Sequence, residues 1–267
     1  MLPGMSSAFT VVAKAGGSGE GAENTCEAIA AALTARPPPW ARLAIEVDLR
    51  LSADGRLVAL HDATLERTTD GVGKVRALPL ARLRELRAGP GKERIPLFEE
   101  VSEVVGDHDL VVDAHDRDVA IAEALVRARQ RLAPAASQRV ILASEHEVVV
   151  QAARRLDPGL RSAASPREAW CKLLLEWLRL GRWAPRGHTW MVPVRHRGLE
   201  VVTQRFAESA RQGGDEVWGY VVDEAPETER LRGLGVTGCF TTRPRALCTE
   251  LTARAAATDD QQPASAS

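Results

Sequence analysis

The sequence predicts an α/β fold built as one (β/α)8 or TIM barrel with a lid-like insertion after the second strand, and three observations lead there. Short apolar, β-branched runs alternate with helical patterns along the chain, the mark of repeated βα units and a parallel sheet. There are eight such units, the number that closes a barrel. A length of 267 residues with 45% hydrophobic content suits one large domain at least as well as two small ones.

The predicted strands, in order, are Phe9 to Val12, Leu43 to Leu49, Leu110 to Asp113, Val140 to Ser144, Leu160 to Ala164, Thr189 to Val194, Glu216 to Val222 and Val236 to Thr241. Each is a run of four to seven residues, and all but Leu160 to Ala164 are rich in Val, Ile, Leu or aromatics. The intervening helices are expected over about Thr25 to Thr34, Leu97 to Val105, Val119 to Arg131, Glu147 to Leu156, Arg167 to Leu180, Val201 to Arg211, Pro226 to Leu234 and Pro244 to Ala256, where the apolar period lengthens toward 3.6. The stretch from about Asp62 to Arg94 is too long for an ordinary βα loop and is expected to pass over the barrel mouth. The domain is expected to span residues 1–257, and the small, polar, Pro-containing residues 258–267 are expected to form a disordered tail.

Lys plus Arg total 35 against 36 for Asp plus Glu, a net charge of -1, which gives no global pull toward nucleic acid or an anionic membrane. The four cysteines, Cys26, Cys171, Cys239 and Cys248, are scattered without a CxxC pair, which argues against a cysteine zinc site and a disulfide framework. No apolar run is long enough to span a bilayer, and the N-terminus lacks a basic start and apolar core of a signal peptide, so a cytoplasmic location is the expectation.

The chemistry is concentrated around Ile45-Glu46-Val47-Asp48-Leu49-Arg50 and the following Leu57-Val58-Ala59-Leu60-His61-Asp62. On a strand Glu46 and Asp48 project from one face, within reach of one hard cation. The Asp54-Gly55 pair between the two runs favours a hairpin that brings His61 back beside them. Active sites of such barrels lie at the C-terminal strand ends. Lys14 follows the first strand, Asp113 and His115 end the third, and Trp218 lies in the seventh, so all should converge there. Glu46, Asp48 and Asp113 offer only oxygen, which suits one Mg2+ or Ca2+ rather than zinc. The bland reading has these acids facing solvent or pairing with Arg50 and Arg117. His61 can move a proton at neutral pH. Gly16, in the glycine-rich turn Gly16-Gly17-Ser18-Gly19, could turn backbone N–H groups toward a phosphate. The stripe of Trp170, Leu173, Leu174, Trp177 and Leu178 reads first as core packing, with contact to a membrane surface or partner, aided by Trp183 and Trp190, as the lesser alternative.

Lys14 to Thr25, then Glu46 through His61-Asp62-Ala63-Thr64-Leu65-Glu66-Arg67-Thr68-Thr69-Asp70-Gly71, resemble the two signature stretches of the glycerophosphodiester phosphodiesterase family. Arg94-Ile95-Pro96, Val192-Pro193, Val217-Trp218 and Gly235-Val236-Thr237-Gly238 extend the likeness over nearly the whole chain. The resemblance implies metal-dependent hydrolysis of a small glycerophosphodiester substrate to glycerol 3-phosphate and an alcohol, with a pair of histidines as acid and base. By position, Glu46 and Asp48 match metal ligands, Asp113 stands where the family usually has glutamate, and His61 matches the second histidine. The first histidine is replaced by Lys14 and the arginine after it by Ala15, while the lysine two residues beyond the third-strand acid is His115. The expectation is compensation: Lys14 supplies positive charge and substrate contact with Gly16 and Trp218, and His115 joins His61 and Lys14 as a catalytic group. The competing expectation is an inactive barrel that binds a phosphoester or a partner.

Overall fold

A computed structural model describes residues 8–178, 180 and 189–259. Eight parallel strands follow one another around a nearly closed barrel: β1 (Phe9–Ala13), β2 (Ala41–Leu51), β3 (Asp109–Ala114), β4 (Val140–Ala143), β5 (Arg161–Ser162), β6 (Thr189–Pro193), β7 (Glu216–Tyr220) and β8 (Gly238–Thr241). Their hydrogen-bonded order is β5-β4-β3-β2-β1-β8-β7-β6. The two free edges, β5 and β6, meet through a parallel bridge between Ala163 and Thr189, with the Ala164 N–H donating to the Thr189 carbonyl at 3.0 Å. The outer helices are α1 (Cys26–Ala32), α2 (Phe98–Val105), α3 (Val119–Arg131), α4 (Glu147–Leu156), α5 (Pro166–Trp177), α6 (Gln204–Gln212), α7 (Ala225–Gly233) and α8 (Pro244–Asp259).

Side-chain alternation along the strands sorts residues into two environments. Ile45, Val47 and Leu49 of β2 and Leu110, Val112 and Ala114 of β3 face outward, into the apolar layer beneath the helices. Ala44 and Val111 face inward and pack with Val12, Ile141, Trp218 and Phe240 as an interior layer. Glu46, Asp48 and Asp113 are the next inward positions, stacked on that layer toward the C-terminal ends. At the opposite end of the barrel Asp109 is held between Arg42 (2.9 Å) and Arg161 (3.0 Å).

Several helix starts are dictated locally. The side chains of Thr25, Asp118, Ser165 and Thr203 accept backbone N–H bonds at the starts of α1, α3, α5 and α6. In α5 the cap is reciprocal, since Glu168 accepts the Ser165 N–H at 2.7 Å and Pro166 occupies the first turn.

Leu57–Ala59 pairs antiparallel with the end of β2, as the Asp-Gly turn requires. Beyond it, the 62–94 segment folds as a side unit with its own small core of Leu60, Leu65, Val75, Leu83, Ala88 and Ile95. A 3-10 turn (Val75–Ala77), a short helix (Leu80–Leu83) and a two-stranded ribbon (Arg87–Ala88 with Glu93–Arg94) build it. A further short helix, Pro134–Arg139, falls in a stretch for which the sequence suggests no element.

Helix α5 corrects one expectation. Its Trp170, Leu174, Trp177 and Leu178 face outward, with Trp170 66% and Trp177 78% exposed. The inner face carries Ala169 and Leu173 together with buried Lys172 and Glu176. The two charges pair at 3.4 Å, Lys172 also donates to Ser209 at 3.2 Å, and its ammonium stands over the Trp190 and Phe206 rings. Helical spacing identifies a stripe but not the side on which it lies, and a lysine stem with a paired head can replace an apolar residue beneath a helix. Trp190 is wholly buried and bonds Asp215 at 2.9 Å, which removes it from any surface role. Trp183 and residues 260–267 of the expected tail lie outside the described residues, and α8 runs to Asp259. All four cysteines are free thiols.

Candidate active site

The parallel register of β2 and β3 sets Asp48 directly beside Asp113 and Glu46 beside Val111. On the other side Ala13 of β1 pairs with Ile45, so Lys14 emerges next to Glu46. One oxygen from each of Glu46, Asp48 and Asp113 lies within 4.8 Å of the others. These three expected ligands are therefore brought together.

Lys14, Ala15 and Gly16 form a single 3-10 turn above β1. The Ala15 N–H donates to Glu46 Oε2 at 2.5 Å, and Lys14 Nζ stands 4.0 Å from Glu46 Oε1. Gly16 is buried in left-handed backbone (φ 71°), and a Cβ there would meet Ile29 at 2.9 Å. Glycine is thus required by backbone and packing.

The two histidines arrive from different elements. His115, just beyond β3, places Nε2 2.9 Å from Asp48 Oδ1 and 3.6 Å from Asp113 Oδ2. His61, just beyond the antiparallel strand Leu57–Ala59, lies with its ring centroid 4.6 Å from that of His115. Its Nδ1 meets Asp62 at 2.7 Å. Asp62 and Glu23 both grip Arg67 with paired hydrogen bonds of 2.6 to 3.0 Å. A cleft of about 660 Å³ lies outside this ion-pair chain, bounded by Ser18, Glu23, Arg67, Thr69, Arg87 and Lys92.

Two residues without a sequence signal of their own organise the centre. Buried Asn24 holds Asp48 twice: its Nδ2 donates to Oδ2 at 2.8 Å and its Oδ1 accepts the Asp48 N–H at 2.9 Å. Arg50 does not neutralise the acid trio, as the bland reading had it. It donates to the carbonyls of His61 (2.7 Å) and His115 (3.2 Å) and to Asp116 (2.9 Å), tying both histidine backbones together. The family-like string holds both residues, but only the coordinates give their partners.

Trp218, expected as a substrate contact, has its ring wholly buried in the barrel interior, packed with Val12, Val111 and Phe240. Among the described residues its indole N–H has no partner.

Burial drives the Glu46 carboxyl well above the usual carboxylate range, and the Asp48 charge adds to that; Lys14 and the Ala15 N–H oppose it. Burial likewise raises Asp113. For Asp48 burial acts upward too, but the His115 hydrogen bond, the Lys14 charge and the Asn24 bond together hold it at about 2. The Glu46 charge holds the Lys14 ammonium above its ordinary value. Burial disfavours the His115 cation, yet the bond to Asp48 and the Asp113 charge outweigh it and raise the imidazole. Three crowded acids with one lysine between them are short of positive charge. The buried Asp113 Oδ1 has no hydrogen-bond partner among the described residues. An all-oxygen donor set with an orphaned carboxylate oxygen fits a hard divalent cation.

Such a centre, at the C-terminal ends of parallel barrel strands with imidazoles beside it, lies where (β/α)8 enzymes carry their active sites. The chain belongs to the glycerophosphoryl diester phosphodiesterase family, whose model matches residues 15–246, and members of that family are phosphoric diester hydrolases. It is 28% identical over 214 residues to a glycerophosphodiester phosphodiesterase of Caldanaerobacter subterraneus, covering 76% of this chain and 83% of that protein. Its fold is similar to the glycerophosphoryl diester phosphodiesterase domain of a Mycobacterium tuberculosis protein (TM-score 0.76, 22% identity, 91% of this chain and 99% of that one). It is also similar to an Oleispira antarctica phosphodiesterase solved with the product sn-glycerol-3-phosphate (TM-score 0.72, 24% identity, 90% of this chain and 95% of that one). Among the described residues no helix is long and apolar enough to cross a membrane.

Proposed function

We propose that the protein hydrolyses small glycerophosphodiesters with the help of one divalent cation, and that Lys14 and His115 together take over the work of the missing histidine and arginine. The observation that carries this reading is the tilted contact of the His61 and His115 rings, 4.6 Å apart, beside Asp48. A second imidazole from a different strand beside the first supports a reading with two proton carriers.

Glu46, Asp48 and Asp113 would hold Mg2+ or Ca2+, which when bound supplies Lewis-acid polarisation of a phosphoryl oxygen. Lys14, raised by its acidic neighbours, is an ammonium at neutral pH and neutralises the phosphodiester as a fixed cation; it is not a base. Gly16 shapes the turn that carries Lys14 toward the same anion, while the Ala15, Gly17, Ser18 and Gly19 N–H groups donate to Glu46 and to the Lys14 and Thr242 carbonyls. The His61 Nδ1–H donates to Asp62, which leaves Nε2 with a lone pair to take a proton from the attacking water. The His115 Nε2–H donates to Asp48, and in this reading the same group passes a proton to the departing alcohol oxygen. Arg67, clamped by Asp62 and Glu23, holds the Asp62 carboxylate and through it the His61 ring. The insertion thereby shapes the side of the site that contributes the base.

The test is turnover of glycerophosphocholine and glycerophosphoethanolamine with Mg2+, Ca2+ or chelator, in the wild type, in His115→Ala and in the Lys14→His/Ala15→Arg double variant. Metal-dependent turnover lost in His115→Ala supports the reading. Retained turnover in His115→Ala ends it, as does an inert wild type revived by the double variant.

A further inference from the structure

We propose that this chain carries a second metal site, formed by His61, His115 and Asp48, which takes a borderline transition cation such as Zn2+ or Co2+ and switches hydrolysis off. One ring nitrogen from each histidine and one Asp48 oxygen lie within 4.8 Å of one another. Two imidazoles and a carboxylate make a donor set suited to zinc or cobalt, in contrast to the all-oxygen set of Glu46, Asp48 and Asp113. The two sets share Asp48, so a filled pair would be bridged by that carboxylate.

The surroundings of the imidazoles supply independent support. A ligating histidine ordinarily gives its other ring nitrogen to a carboxylate, which fixes the tautomer and the ring. His61 has that arrangement already: Nδ1 is held by Asp62 at 2.7 Å, and Asp62 is itself held by Arg67, whose other partner is Glu23. This leaves Nε2 as the ligand atom. His115 is fixed from behind, since its carbonyl accepts from Arg50 (3.2 Å) and from His146 Nε2 (3.3 Å). Its own Nε2 points at Asp48, where a cation would take the place of the proton now shared between them. With its side chain 45% exposed, His61 gives a cation a path from solvent, and zinc bound by three protein groups keeps a fourth position open.

The inhibitory part of the proposal rests on the reading of both histidines as proton carriers. A metal on Nε2 of each would occupy the lone pair that accepts one proton and displace the proton that the other donates. Binding itself does not depend on that reading.

The experiment uses the full chain, stripped with chelator and saturated with Mg2+, titrated with Co2+ by visible absorption and with Zn2+ by calorimetry. One Co2+ per chain is expected, with the ligand-field absorption of a nitrogen-containing site and without release of Mg2+. His61→Gln and His115→Gln should each weaken binding at least about a hundredfold, and Asp62→Asn by about tenfold through loss of ring orientation. Mg2+ calorimetry and thermal unfolding of each variant report that the fold and the oxygen site persist. Unchanged Co2+ affinity in both glutamine variants overturns the site, as does one-for-one displacement of Mg2+. Zn2+ should also slow Mg2+-supported turnover in the wild type. Zinc binding with undiminished turnover overturns the inhibitory role, whereas a wild type without turnover but with the cobalt signal keeps the site and removes the hydrolase reading.

Discussion

His115 Nε2 stands 2.9 Å from Asp48 Oδ1, although the two residues are 67 positions apart in the chain. The parallel register of β2 and β3 makes the contact unavoidable, because Asp48 pairs with Asp113 and His115 is the next inward position along the same strand path. An imidazole here extends the acid cluster toward His61, and in the proposed reading it is the second proton carrier. This relationship leads directly to a first expectation.

Replacing His115 by alanine should lower kcat by about 10²- to 10⁴-fold, the usual effect of losing one general acid or base. Steady-state kinetics with glycerophosphocholine and saturating Mg2+ check it. His115→Lys should not restore the rate, because a lysine beside these carboxylates keeps its proton too firmly near pH 7.

Lys14→Gln should reduce kcat/KM by roughly 10²-fold, the scale of removing one preorganised charge from a developing anion, and Lys14→Arg should retain part of the rate. Its ammonium is held above its ordinary value by the Glu46 charge, so it stays charged across the neutral range. Substitution at Lys14 is therefore expected to leave the shape of the pH–rate profile between pH 5 and 9 unchanged while lowering its height. A shifted basic limb in Lys14→Gln would contradict a purely electrostatic role.

Asn24→Ala should destabilise the fold by about 1–3 kcal/mol, since it removes one partner each from buried Asp48 Oδ2 and the Asp48 N–H. The same substitution places alanine at φ 61°, which adds strain of order 1 kcal/mol. Urea unfolding checks the stability, and Mg2+ calorimetry should show weaker binding because Asp48 is no longer held in place.

Acid should remove the contribution of the Arg84–Glu100 pair. Burial raises the Glu100 carboxyl, but the paired bonds from Arg84 and the Leu97 N–H outweigh it and leave it below its ordinary value. A carboxylate lowered in the folded state stabilises above its unfolded value near 4.5 and loses that contribution as pH falls through the folded value. Arg84→Ala is thus expected to cost roughly 1 kcal/mol at pH 7, screened because Glu100 is partly exposed, and progressively less below pH 4.5. Parallel denaturant curves at pH 7 and pH 3.5 would reveal a cost that fails to shrink.

Trp177→Ser should change stability by less than about 0.5 kcal/mol because the ring is 78% exposed, whereas Lys172→Ala should cost about 3 kcal/mol by leaving buried Glu176 with Arg205 alone of its two cationic partners among the described residues and emptying the space under the helix. Thermal unfolding of the two variants tests the outward orientation of the α5 stripe. The opposite order would return Trp177 to the core.

The alternation of β-branched runs and helical periods made all eight barrel strands readable, and α3 and α4 begin and end at the expected residues. The acid trio was legible because strand period two and a parallel register are both local rules. Other features follow from contacts that no spacing encodes. The burial of Lys172 depends on Glu176 and the rings of Trp190 and Phe206, so the apolar stripe of α5 was read onto the wrong side. Trp218 lies on the inward face of β7, yet its depth depends on how closely Val12 and Phe240 fill the interior beneath the acids. Asn24 and Arg50 bond across 24 and 65 residues, so their roles emerge only once the barrel has closed.

The Arg67 fork joins two parts of the chain with different constraints. Glu23 belongs to the turn that frames the barrel mouth, and Arg67 belongs to an excursion with an apolar centre of its own. Remodelling of that excursion can alter what approaches the cleft without reorienting the His61 imidazole, provided one guanidinium stays anchored to both carboxylates. Catalytic alignment and molecular taste are thereby separable inheritances, linked by a single planar group.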